Sequence, residues 1–62
     1  AQVGVGMTQD EVTRMLGRPM KTRKYRDGST WGYQIGPETW FLVDFGTDGK
    51  VKEATQKFIA AW

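Results

Sequence analysis

The 62-residue chain contains neither cysteine nor histidine. The first absence removes disulfides and thiolate metal sites, and it leaves the redox compartment unreadable. The second removes the commonest general base and the commonest metal ligand. Charge imbalance is slight: nine Lys/Arg against seven Asp/Glu give +2, too little by itself to argue for nucleic acid. No apolar run approaches the roughly 20 residues of a membrane-spanning helix. No signal peptide is visible, and the chain begins at Ala1 rather than at methionine, as a processed product or an excised piece would. This length accommodates one domain, 1–62, with one small core. Three Trp, two Tyr and three Phe are the main material for that core.

The most organised stretch runs from Gly6 to Pro19. Thr8 is a good N-cap, Glu11 three residues on completes a capping box, and Met7 and Val12 are spaced for a hydrophobic staple. Asp10 and Glu11 suit the positive end of a helix dipole, and Arg14 suits the other. Gly17 closes the helix and Pro19 prevents its resumption. The spacing predicts a helix over 9–16 with Val12, Met15 and Leu16 on one face. Eight residues do not make a stable helix alone, so this face must lie on something.

The remainder reads as sheet. Ala1–Gly6 is either a short edge segment or a frayed end, and its two glycines favour fraying. Met20–Arg26 is an extended lead-in or an edge strand. Asp27-Gly28-Ser29 is a turn, Thr30–Ile35 alternates, and Gly36-Pro37-Glu38 turns again. Thr39–Phe45 is the most strand-like run; Gly46–Gly49 is a hairpin loop, and Lys50–Gln56 pairs back. Lys57–Trp62 is either a docked turn or a loose tail, so 1–6 and 57–62 are the segments where flexibility is expected. Short connections make sequential strands antiparallel neighbours. The expectation is α+β: an N-terminal helix on one face of a three-stranded, or with Met20–Arg26 four-stranded, antiparallel meander. Phe41, Val43, Phe45, Trp31, Tyr33 and Ile35 are expected on the helix side.

Gly6-Met7-Thr8-x-x-Glu11-Val12-x-x-x-Leu16-Gly17-x-Pro19, then Trp31-x-Tyr33, then Val43-x-Phe45-x-x-Asp48-Gly49-x-Val51 resembles the SmpA/OmlA domain family of BamE-like outer-membrane lipoprotein domains. The pieces occur in the family's order and cover about residues 5–53. The resemblance implies a helix packed on a three-stranded antiparallel sheet. It also implies a periplasmic setting with a lipid tether to the outer membrane, and binding of envelope proteins and anionic lipid headgroups without catalysis. The matched residues are caps, core and turns, so no partner surface is carried over with them.

Three features remain that bear on chemistry. Arg18, Lys21, Arg23, Lys24 and Arg26 form a basic cluster with Tyr25 inside it. This is either a contact for an anionic partner or a solvated edge protected against aggregation. Trp40 and Leu42 point away from the expected helix. They form either an exposed interface patch, suited to a protein partner or a second copy, or a second small core with Phe58, Ile59 and Trp62. The candidate partner-binding residues are therefore Arg23, Tyr25, Arg26, Trp40 and Leu42. Asp44, Asp48 and Glu53 are carboxylates without convergent partners, each explained by a turn or a strand surface. No catalytic, cofactor-binding or metal site is assigned. The function expected is a non-catalytic protein-interaction domain of the bacterial envelope. The competing classes are a small basic nucleic-acid-binding module, which one interleaved aromatic supports only weakly, and a structural module of a longer envelope protein.

Overall fold

Helix α1 (Gln9–Leu16) starts at Thr8 in the computed structural model, which describes residues 3–62. Both halves of the capping box are closed. The Glu11 N–H donates to Thr8 Oγ1 at 3.2 Å, and the Thr8 N–H donates to Glu11 Oε1 at 3.0 Å. These contacts hold the Glu11 carboxyl below the usual carboxylate range, the Thr8 N–H first, its hydroxyl second, with Arg14 adding a smaller pull. Gly17 ends the helix at φ 82°, its N–H on the Thr13 carbonyl at 2.8 Å. A side chain would be strained at that angle.

Four strands follow: β1 (Lys21–Tyr25), β2 (Gly28–Gly36), β3 (Thr39–Phe45) and β4 (Val51–Phe58). They form one antiparallel sheet in the order β1-β2-β3-β4. The basic segment is thus an edge strand, and the meander has four strands. The first turn falls at Arg26-Asp27, earlier than the expected Asp27-Gly28-Ser29. Gly28 already pairs with Tyr25 at positive φ, and a Cβ there would overlap the Phe45 carbonyl. The last strand begins at Val51 and reaches Phe58, two residues beyond the expected end.

Val12, Tyr33, Val43, Phe45 and Val51 form the core, with Val3, Met7, Trp31 and Phe41 packed against it. Trp31 meets Phe45 edge to face, centroids 4.7 Å apart. The Tyr33 hydroxyl donates to the Gly17 carbonyl at 2.9 Å, tying the end of α1 to the sheet. Ile35 does not join this core and is 58% exposed. The β2–β3 register slips between Gln34 and Gly36, a bulge that leaves Ile35 unpaired. Leu16, the last helical residue, likewise sits at the rim rather than under it.

The N-terminal glycines suggested a frayed end. Within the described residues the Gly6 N–H donates to the Val51 carbonyl, and the Val51 N–H donates to the Met7 carbonyl, both at 2.8 Å. Thr8 bridges to Lys50. This strap covers the start of β4 and carries Val3 to the core. Ala1 and Gln2, part of the segment expected to be flexible, lie outside the described residues.

Candidate binding surface

The sheet face away from α1 follows from register. Lys21 is opposite Gly32, which is opposite Leu42; Arg23 is opposite Thr30, which is opposite Asp44. Since neighbours across a ladder share a face, the basic strand borders a floor made by Thr30, Gly32, Trp40 and Leu42. This floor was expected either to lie open or to be covered by the tail, and the structure covers it. Trp62 lies over Gly32 so closely that a Cβ at Gly32 would be 2.5 Å from its ring and 3.2 Å from the Trp40 ring. The two indoles are 6.0 Å apart at 47°. Trp40 and Leu42 are consequently buried, at 3% and 7% exposure, rather than presented to solvent. Phe58, expected to share in this second core, does not: it is 77% exposed. The buried Trp40 indole N–H has no acceptor among the described residues, so the floor is held by packing.

Two of the five basic residues are spent on this lid. The Arg23 guanidinium stacks 4.8 Å above the Trp62 ring. Lys21 Nζ lies 5.6 Å from the Trp40 centroid and donates to the Trp62 carbonyl at 2.9 Å. Such cation–π contacts contribute about 0.5–1 kcal/mol when exposed. The structure therefore brings Arg23 and Trp40 together through Trp62, with Leu42 buried opposite Gly32 on the same face. Tyr25 lies farther along β1, half-exposed, and Arg26 projects from the adjoining turn. All five residues of β1 are exposed. Asp27, next in the chain, makes a 3.9 Å ion pair with Lys52 in solvent, a contact of little energetic weight.

Two of the three carboxylates, Asp44 and Asp48, have structural partners, and Glu53 lies exposed on β4. Asp44 accepts from the Thr30 hydroxyl at 2.6 Å, and Asp48 accepts from the Lys50 N–H at 3.0 Å. Among the described residues no group of three or more acidic side chains could hold a metal ion, and no helix is long and apolar enough to cross a membrane.

Sequence reasoning missed one feature. Beside the end of α1, an open groove of about 630 Å³ is lined by Val3, Leu16, Tyr33, Ile35, Phe41 and Ala54, with Gln34 at its border. Strand alternation placed Ile35 and Phe41 in a closed core, and nothing local announces the bulge that opens it. The covered floor did leave a signal: Gly32 interrupts an otherwise alternating strand, which marks close approach of another group.

No curated protein and no solved structure matches the chain. The family model described as the outer membrane protein assembly factor BamE domain matches residues 1–55. These residues span the cap, the staple, the turns and most of the sheet described above, and the chain belongs to the BamE domain family.

Proposed function

We propose that this chain is a non-catalytic binding domain serving outer membrane protein assembly from the periplasmic side, within a full-length protein tethered to the outer membrane by a lipid. Its partner is an envelope protein that docks along β1 and the turn after it, meeting Arg23, Tyr25 and Arg26. Trp40 and Leu42 act from beneath: they seat Trp62, and Trp62 in turn fixes Arg23. The observation that carries this is the exposure of every residue of an edge strand rich in cations. An edge strand offers unpaired backbone groups to an incoming chain, and its cations favour an acidic partner surface. Anionic lipid headgroups meet the same rim, with each nearby Lys or Arg contributing about 1 kcal/mol. Membership of a family of assembly factors agrees with a binding role.

The test is cross-linking in envelope extracts, with the wild-type chain beside Arg23→Glu, Arg26→Glu and Trp40→Ala. Loss of the captured protein from the two charge reversals, with a weaker loss from Trp40→Ala, is the expected result. Flotation with anionic and zwitterionic vesicles measures the lipid contribution separately. An identical set of captured proteins for all four chains refutes the site.

A further inference from the structure

The sheet has a second edge, and its charges are arranged for pairing with themselves. We propose that β4 pairs antiparallel with β4 of a second copy, across a two-fold axis at Thr55, to give one continuous eight-stranded sheet. The strap at Gly6–Thr8 occupies the outer side of Lys50 and Val51. Beyond it, the outer edge of β4 from Lys52 to Phe58 carries no strand among the described residues. A two-fold axis perpendicular to the sheet keeps both helices on one side, and opposed residues must then share a face. Only every second register satisfies that condition.

Of the allowed registers, the one centred on Thr55 sets Glu53 opposite Lys57 of the second copy, and Lys57 opposite its Glu53. Thr55 then meets Thr55 and Ala54 meets Gln56; the bulge that sets Glu53 beside Asp44 and Val51 beside Phe45 takes Lys52 out of the alternation, so the new pairs run from Glu53 to Lys57. Opposite charges and Thr–Thr pairs are favourable cross-strand neighbours. Glu53 and Lys57 carry no other ion pair among the described residues. Moving the centre to Ala54 brings Gln56, across the bulge at Lys52, against Val51, whose two backbone groups the strap already takes, and leaves only Glu53–Thr55 free to pair. Moving it to Gln56 sets Glu53 against Ile59 and separates the charges. The strap and the Glu53–Lys57 spacing thus select one register.

The chain has no native cysteine, which makes the test direct. Thr55→Cys oxidises to a disulfide-linked dimer, because a residue on the axis faces its own copy at bridging distance. Lys57→Cys does not, since it lies four residues from its copy, about 13 Å along the strand. Sedimentation of cysteine-free chains gives the second readout. Glu53→Lys and Lys57→Glu each weaken the dimer about tenfold, because each reverses two cross-strand pairs. The double reversal restores it to within about threefold. A chain that stays monomeric to millimolar concentration overturns the proposal, as does a dimer that both single reversals leave unchanged. Neither result touches the β1 rim, whose cross-linking assay is independent.

Discussion

Replacing Gly32 by Ala tests whether Trp62 is seated by the absence of a side chain. A Cβ at Gly32 would fall 2.5 Å from the Trp62 ring, too close for any rotamer adjustment of alanine itself, so the indole must leave. Covering a large part of an indole, about 100–150 Å², is worth about 3 kcal/mol gross at about 25 cal/mol per Å². Ordering the tail consumes much of that. We expect Trp62→Ala to cost about 1–2 kcal/mol and to lower the melting temperature by about 5–10 °C. Gly32→Ala should cost a similar amount. In the Trp62→Ala background the same substitution should be neutral or slightly stabilising. Alanine is then favoured over glycine within a strand by about 0.5–1 kcal/mol, and only the Trp40 ring, 3.2 Å from the new Cβ, has to yield slightly. Urea denaturation of the four chains, followed by far-UV circular dichroism, gives the coupling energy, expected at about 1–2 kcal/mol. Additivity within about 0.5 kcal/mol would mean that Trp62 does not rest on Gly32.

Thr8→Ala should cost about 1 kcal/mol and several degrees of melting temperature; an unchanged melting curve would mean that the cap does not close. Glu11 has a folded pKa below its unfolded value, so its contribution is present above the unfolded value of about 4.3 and is lost as pH falls through the folded one. The stability difference between wild type and Glu11→Gln should therefore shrink between pH 7 and pH 3; a difference independent of pH would refute the bond to Thr8. Tyr33 has the opposite linkage: burial raises its phenol, so its contribution holds below the usual tyrosine range and is lost as pH rises through the folded value. Alkaline melting of wild type and Tyr33→Phe should converge. Val43→Ala, in the core, should cost about 2 kcal/mol, while Ile35→Ser should stay within about 0.5 kcal/mol. Equal losses in thermal melts would mean that Ile35 is not at a bulge.

What could be read in advance depended on how far each determinant reaches along the chain. The capping box lies within four residues, so Thr8 and Glu11 announce α1 without help from the rest of the molecule. Alternation in Thr39–Phe45 needs only the pleat of one strand. The family pattern strengthened these same features because it consists of them. Ile35 needed more: its exposure depends on a two-residue turn at Pro37-Glu38 meeting a register already set by Trp31, Tyr33 and their partners on β3. Where register and turn geometry conflict, a bulge absorbs the difference, and neither segment alone reveals it.

The basic cluster shows why the candidate surface could be only half read. As a string, Lys21 to Arg26 is a run of equivalent cations. In the fold they divide by parity. Lys21 and Arg23 fall on the floor side, where a tail some forty residues away supplies an aromatic ring and a carbonyl. Lys24, on the opposite parity, and Arg26, in the turn, have no such contact among the described residues. The two kinds of cation should answer differently to salt. Exposed charges are screened with a Debye length of about 8 Å at physiological ionic strength, whereas a guanidinium stacked at 4.8 Å on an indole retains its dispersion contact. A partner held chiefly through the exposed charge of Arg26 is then released by salt while Arg23 and Trp62 stay packed. Indole fluorescence that stays constant through the salt-induced release of the partner would distinguish a rim built on a fixed aromatic floor from a solvated charge cluster. A change in emission that tracks the release would mean that the tail moves with the partner.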